Sequence, residues 1–148
     1  MVGLETRRHR LPLLAVSQAQ KEITHNEALV LIDALLHMSV EQTLSLAPAA
    51  ADNDFGKCWL IGEGAAGLWA NKSGHIALWV GSWRFVAPVE GMRLWDKSSG
   101  CYCLYVASQW SSAPVILEPT GGTVVDSEAR AALGMILQFL GRMGMLAT

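Results

Sequence analysis

The chain has 148 residues, of which 51% are hydrophobic and only 16% are charged, and its net charge is −2. This length fits one domain, and the composition excludes a disordered tail, a basic field for nucleic acid and, because the apolar runs are short, a membrane-spanning helix. A small monomer cannot readily hide so much apolar surface, so the composition also predicts burial against other chains.

An extended, apolar N-terminal arm is predicted for residues 1–16. Pro12 biases Leu11 towards an extended conformation, and further leucines make the segment apolar, so it should lie against another surface. The basic Arg-Arg-His-Arg run at residues 7–10 is not followed by the apolar region of a signal peptide. We therefore interpret these charges as part of a solvated arm.

The first helical region is predicted at residues 17–38. Thr24 and Glu27 have the spacing of a capping box, which places Thr24 at the helix N-terminus. The residues that follow are apolar on nearly every side, as in a buried helix. Glu22 and His25 have the spacing of one di-iron half-motif, but such sites need the motif twice, so a cap or polar contact is the preferred interpretation.

The β-rich part of the chain begins where the hydrophobic period changes to two, which predicts a strand at residues 38–46. Residues 55–119 are predicted to form a compact, Trp-rich antiparallel β-meander, arranged as a small barrel or sandwich. Gly81-Ser82 has the composition of a two-residue hairpin turn. The candidate strands of the meander lie at residues 57–61, 67–71, 75–80, 83–87, 92–96, 101–106 and 114–117.

The three cysteines have neither the number nor the spacing of a zinc site. Cys101 and Cys103 alternate along a predicted strand and so share one face, while Cys58 is distant in sequence. We predict that all three are buried free thiols, in a protein that is assembled in a reducing cytoplasm.

Residues 120–148 are predicted to form a C-terminal helix that is a candidate oligomerisation element. Its cap is Thr123 or Asp126, and Gly144 is suited to end it. An apolar stripe at heptad spacing runs along this helix, and it could pair with other chains or pack on the chain's own sheet. With residues 17–119 as a helix plus β-rich domain, the expected fold class is α+β. The stripe consists of Ala129, Leu133, Ile136, Leu140 and Met143.

No catalytic motif is present, and no two carboxyl groups can be paired from sequence, so neither an enzyme nor a cofactor is expected. The unpaired carboxyl groups at predicted loops and strand ends are Asp52, Asp54, Glu63, Glu90, Asp96 and Glu118. The chain has six tryptophans, which is the clearest excess of one residue type in its composition. Core positions are predicted for Trp59, Trp79 and Trp95, whereas those that flank turns are candidates for glycan stacking, with core or subunit packing as the alternative. These candidates are Trp69, Trp83 and Trp110.

A long polar string at residues 17–29, S-Q-A-Q-K-E-I-T-H-N-E-A-L, is followed by I-D-A-L at residues 32–35. Together they resemble the signature of a domain of unknown function found in alphaproteobacterial phages, prophages and gene transfer agents. The G-K-C-W-L-I, G-L-W-A and W-R-F-V-A-P segments further along are similar to later motifs of that family. The resemblance covers residues 11–146, nearly the whole chain.

The resemblance implies a virion component: a tail-fibre or head-spike subunit that attaches the particle to capsular polysaccharide on the host surface. It implies a homo-oligomer, with a trimer favoured and a pentamer as the alternative, and contacts with other virion proteins. The implied location is a particle assembled in the bacterial cytoplasm, with no nucleic acid partner and no membrane insertion. The rival hypotheses are a carbohydrate-binding module without an anchoring role and a polysaccharide depolymerase.

Two segments are the candidates for docking and assembly. In the first, the polar string either fixes how the arm enters the helix or contacts another virion protein, and the two roles can coincide. The second is the heptad stripe of the last helix. The candidate residues are Gln18, Gln20, Lys21, His25, Asn26, Glu27, Leu29, Ile32 and Leu36, followed by Leu133, Ile136 and Leu140.

Overall fold

The fold is given by a computed structural model, which describes residues 4–15 and 21–147. Across these residues the chain forms two α-helices and two four-stranded sheets, with short 3-10 turns at Asp52–Asp54 and Gly67–Trp69. The helices are α1 (Lys21–Leu35) and α2 (Ser127–Arg142). The strands are β1 (Ser39–Val40), β2 (Thr43–Leu44), β3 (Cys58–Ile61), β4 (Ile76–Trp79), β5 (Trp83–Val86), β6 (Arg93–Asp96), β7 (Cys101–Val106) and β8 (Gln109–Ser112).

The two sheets have the strand orders β1-β6-β7-β8 and β2-β3-β4-β5. The predicted strand at residues 38–46 is split, because β1 pairs in parallel with β6 whereas β2 pairs in parallel with β3. The remaining pairs are antiparallel. The predicted α+β class is therefore confirmed, but the sheets are mixed rather than wholly antiparallel, and they do not close into a barrel.

The main core lies between the two sheets and beneath α1. Val40 and Leu94 from one sheet are fully buried with Ile76 and Leu78 from the other, and Ala34 of α1 completes the cluster. Burial of one such aliphatic side chain contributes about 1.5–3 kcal/mol. This shared core holds the two sheets together, and each sheet therefore depends on the other for stability.

Two predicted strands are wrong. Residues 67–71 contain a 3-10 turn instead of a strand, and the last strand is β8 rather than residues 114–117. The physical reason for the second error is the turn at Ala107 and Ser108, whose positive φ angles of 50° and 63° reverse the chain directly after β7. The β4–β5 connection likewise differs from the two-residue prediction, because Trp79 pairs with Trp83 and leaves three residues between them.

Helix α1 is less buried than its composition predicts. Ala34 is buried, but Ile32 and, directly after the helix, Leu36 are 49% and 45% exposed, because the sheets cover only one side of the helix. Thr24 lies inside the helix, which is described from Lys21, so the predicted capping box is also wrong. The apolar outer side of α1 is left without a partner among the described residues.

The N-terminal arm folds back on itself as Glu5 pairs with Pro12. Arg8, predicted to be solvated, instead caps the C-terminal end of α1: its guanidinium donates to the carbonyl oxygens of Ala34 and His37, each at 2.7 Å. Those carbonyls have no partner within the helix, and a cation is favourable at the negative end of a helix. The arm therefore completes the helix.

The N-terminus of helix α2 is capped by one of the two predicted residues. The Asp126 carboxylate accepts a hydrogen bond from the Ala129 amide at 2.9 Å, so Asp126 rather than Thr123 is the cap. After the helix, Gly144 has a φ of +68° and lies against Trp95, as the prediction of a terminating glycine requires. No helix in the described part of the chain is long and apolar enough to cross a membrane.

The three thiols are free and buried, as predicted. Burial raises the pKa of the Cys58 thiol to about 11 and also raises the pKa of Cys103. Because the thiolate is the reactive form, we expect Ellman's reagent at mildly alkaline pH to react slowly or not at all with the folded protein. It should titrate all three cysteines in guanidinium. Rapid labelling of one thiol under native conditions would contradict the burial described here.

Candidate functional site

A cleft of about 700 Å³ opens between the two sheets, beside the shared core. One wall comes from β2, β3 and the loops that follow β3, and the other comes from β6, β7 and β8. Its volume lies within the range of ligand-binding pockets, roughly 300–1,000 Å³. Its volume exceeds the volumes of two other pockets among the described residues, which are about 310 and 400 Å³.

Two aromatic rings form one side of this cleft. Tyr105 of β7 and Trp110 of β8 are directly opposite in the hairpin, with ring centroids 5.2 Å apart. The Trp110 indole N–H donates to the carbonyl oxygen of Gly74, on the other sheet's side, at 2.8 Å. This hydrogen bond fixes the orientation of a half-buried ring and ties the two walls together. Trp110 is thus the sequence-predicted glycan-stacking candidate that the fold places in the cleft.

The rest of the lining is polar and carries carboxylates. Glu63 and Asp96, which sequence could not pair, line the same cleft together with Gln109 and several serines. The Asp96 carboxylate accepts from the Ser98 amide and hydroxyl at 2.8 and 2.7 Å, so it also holds the β6–β7 turn. None of the described lining residues is Lys, Arg or His. The cleft is therefore acidic and rich in hydrogen-bonding groups.

The other two stacking candidates lie in an aromatic cluster away from the cleft. Trp83 is at its centre, with ring centroids at 5.4 Å from Trp59, 5.1 Å from Trp69 and 5.0 Å from Trp79. Trp69 has no exposed surface, so its assignment as a stacking residue is wrong. The 3-10 turn directs it into a second core, which is formed by the buried residues Trp59, Ile61, Trp69 and Ala77. Half-buried Trp83 packs on the same core.

Of the predicted core tryptophans, Trp59 is buried, and Trp79 and Trp95 are only partly so. Trp79 packs against the second core, and its indole N–H donates to the Ala51 carbonyl at 3.0 Å. Trp95 stacks edge-on with Tyr102 at 4.9 Å. The predicted core position is confirmed for Trp59, whereas Trp79 packs at the edge of the second core and Trp95 lies outside both cores.

A smaller basic pocket of about 310 Å³ lies near the arm. Most of its cations already have partners: Arg8 binds the end of α1, Lys57 pairs with Asp54 at 2.7 Å, and Lys97 pairs with Glu41 at 2.6 Å. Hydrogen bonding to Asp54 raises the pKa of Lys57. Because these charges are largely balanced, the pocket is a weaker candidate for a site than the inter-sheet cleft.

The second candidate surface is the predicted heptad stripe. None of the described residues of α2 is buried, and Leu133, Ile136 and Met143 are 47%, 53% and 46% exposed, while Leu140 is half-buried. The stripe therefore does not pack on the chain's own sheet, which removes one of the two alternatives. Phe139 is 60% exposed and widens the apolar surface.

The polar string of the first helical region makes contacts within the chain. The Asn26 side chain accepts from the Leu14 amide at 2.9 Å and donates to the Leu14 carbonyl at 3.1 Å. Glu27 pairs with Arg84 of β5 at 2.9 Å. These contacts match the alternative in which the string fixes the arm against the helix.

The remaining docking candidates divide by exposure. His25 is exposed, and so are Ile32 and Leu36, whereas Leu29 is half-buried. Gln18, Gln20 and the side chain of Lys21 lie outside the described residues.

Sequence reasoning missed Tyr105, Glu63 and Gln109 as lining residues of the cleft. The signal for Tyr105 was available, because a turn at residues 107–108 places it opposite Trp110. Glu63 and Asp96 line the same cleft only because the two sheets pack together, which no local pattern contains. Across residues 4–15 and 21–147, no three His, Cys, Asp or Glu side chains are grouped to hold a metal ion.

The comparison with models of known protein families gives a match. The model of a family described as "Protein of unknown function (DUF2793)" matches residues 25–111, more than half of the chain. This range includes most of α1 and nearly all of both sheets, and leaves the arm and α2 outside. A search of curated proteins found no match.

Proposed function

The chain belongs to the DUF2793 family of unknown function, and from its own surfaces we propose that it is a homo-oligomeric structural subunit of a phage-like particle. The observation that carries this proposal is α2, a helix of 16 residues with an exposed apolar stripe and no buried residue in the described structure. Apolar patches of this kind mark sites of association. An isolated helix of this length is marginally stable in water. We therefore infer that the stripe is buried against the α2 stripes of other copies of this chain.

The kind of particle is proposed from the sequence. The string at residues 17–29 resembles that of a domain found in alphaproteobacterial phages, prophages and gene transfer agents, which favours a tail-fibre or head-spike subunit. We propose a trimer, with a pentamer as the alternative geometry. In this proposal α2 joins the copies of the chain into an oligomer, and other virion proteins anchor that oligomer to the particle. The inter-sheet cleft then faces polysaccharide on the host surface.

Immunogold electron microscopy tests the particle assignment. Antibodies against the chain should label particles released by the bacterium that encodes it, at one recurring position on the head or the tail. The protein should also sediment with those particles in a density gradient. Detection of the chain only in particle-free fractions, with no labelled particles, would overturn the assignment.

The rival carbohydrate-binding module is favoured by the same cleft, but it leaves the exposed stripe of α2 without a role. A depolymerase is less well supported, because Asp96 already accepts hydrogen bonds from the turn that follows β6. We therefore assign the cleft a binding role. New reducing ends released from capsular polysaccharide by the purified protein would favour the depolymerase instead.

A further inference from the structure

We propose that the cleft between the two sheets binds a short, uncharged oligosaccharide, with Trp110 and Tyr105 as its stacking surface. This inference rests on the proposed attachment role for its biological use, but the site itself is argued from the geometry of the cleft. It adds a ligand class to that role and selects one of the three tryptophan candidates.

The stacking surface is preorganised. The apolar C–H face of a sugar ring packs on an aromatic face, and a platform that is already oriented loses little entropy on binding. The hydrogen bond from the Trp110 indole to the Gly74 carbonyl at 2.8 Å holds this ring in place, and Tyr105 lies beside it at 5.2 Å. Both rings are half-buried, so each retains accessible surface.

Hydrogen-bonding groups surround this platform. Glu63 and Gln109 are exposed at the rim of the cleft, and the hydroxyl groups of Ser73, Ser108 and Ser112 are also there. Carboxylate and amide oxygens accept from sugar hydroxyls, and serine hydroxyls both donate and accept. A cleft of about 700 Å³ has enough volume for more than one sugar ring.

Charge decides the class of sugar. Glu63 and Asp96 make the lining acidic, and no described lining residue is a cation that could balance a ligand carboxylate. A uronic acid or a sulfated sugar would therefore be repelled, and its own charge would be desolvated without a partner. A neutral or N-acetylated sugar meets no such penalty.

Indole NMR spectroscopy of the whole chain tests this proposal. Labelling tryptophan with ¹⁵N gives signals from six indole groups, and the signal that disappears in Trp110→Phe belongs to Trp110. The probes are maltotriose, cellotriose, N,N′,N″-triacetylchitotriose and trigalacturonate at millimolar concentration. We expect at least one neutral or N-acetylated trisaccharide to shift the Trp110 signal saturably, and trigalacturonate to bind about tenfold or more weakly.

Two variants make the result specific. Glu63→Gln should reduce the difference in affinity between the uncharged trisaccharide and trigalacturonate. Glu128→Gln, the same change at an exposed site on α2, should leave that difference unaltered. Absence of a saturable Trp110 shift with all three uncharged sugars, or tighter binding of trigalacturonate, would overturn the proposal. Particle labelling does not depend on the sugar titration, so failure of this site is distinguishable from failure of the proposed function.

Discussion

Gly144→Ala is expected to lower the free energy of unfolding by about 3 kcal/mol. A Cβ atom at this position would lie 2.8 Å from Cη2 of the Trp95 ring and closer still to Cζ3. The backbone also has a φ of +68° there, which costs a residue with a Cβ about 1–2 kcal/mol. The ring cannot move away freely, because Trp95 stacks on Tyr102.

The change at Gly144 should also loosen the end of the chain. The Tyr102 amide donates to the Gly144 carbonyl at 2.8 Å, and the Cys101 thiol donates to the carbonyl of the buried residue Leu146 at 3.3 Å. These contacts fix the segment after α2 beside β7. Displacing Gly144 therefore weakens the attachment of α2 to the sheet.

Urea unfolding of Gly144→Ala and Gly100→Ala separates the two causes. Gly100 has a similar φ of +65°, but a Cβ atom added there would meet no other atom within 4 Å, so its variant should lose only about 1 kcal/mol. Equal losses in the two variants would show that the contact with Trp95 contributes nothing.

Asp33→Ala is expected to lower the free energy of unfolding by about 3 kcal/mol. Asp33 is 3% exposed, and its carboxylate accepts hydrogen bonds from the amides of Arg8 at 2.8 Å and His9 at 2.7 Å. Removing it leaves these two donors unsatisfied and releases the arm that caps α1. The measurement is urea unfolding at neutral pH.

The control for Asp33 is Glu27→Ala on the same helix. Glu27 makes an exposed ion pair with Arg84, and such pairs contribute at most about 1 kcal/mol. A loss in Asp33→Ala no larger than the loss in Glu27→Ala would contradict the role of the buried carboxylate.

Acid should remove the contribution of Asp33. Burial by itself would raise the pKa of Asp33, but hydrogen bonds from the Arg8 and His9 amides and the Thr6 hydroxyl outweigh it, and the pKa is lowered. The stabilisation is therefore complete above the unfolded pKa of about 4 and is lost as the pH falls through the lower folded value. The stability difference between wild type and Asp33→Asn should shrink over that range.

The parts of the fold that sequence predicts well are those in which local pattern and tertiary packing agree. Strands β3 to β7 alternate or are continuously apolar between turn residues, and the structure places each of them inside its predicted range. The Asp126 cap of α2 is equally local, since it needs only a carboxylate three residues before an amide. The end of α2 at a glycine follows the same logic.

The errors arise where a distant partner decides the structure. The sequence predicts that Arg8 is solvated, but in the fold its guanidinium donates to the carbonyl oxygens at the end of α1. The sequence predicts one strand at residues 38–46, but β1 pairs with β6 and β2 pairs with β3, in different sheets. Trp69 flanks a turn, but the turn directs its ring inward.

The candidate sites follow the same division. The heptad stripe on α2 is a local pattern, so its position is predictable, and only the fold shows that the stripe faces away from the sheets. Trp110 is a candidate because it is a tryptophan that flanks a predicted turn, whereas the cleft around it depends on Glu63, Asp96 and Gly74 from separate segments. Sequence therefore indicates the aromatic group but not the site that surrounds it.

Native mass spectrometry at micromolar concentration tests the central claim, which is that α2 joins copies of this chain. We expect a trimer, with about three times the chain mass of 16.0 kDa. Ile136→Glu on the stripe should give monomers, while Leu68→Glu, at an apolar residue that is 75% exposed outside α2, should leave the trimer intact. A wild-type protein that is monomeric under these conditions would contradict this claim.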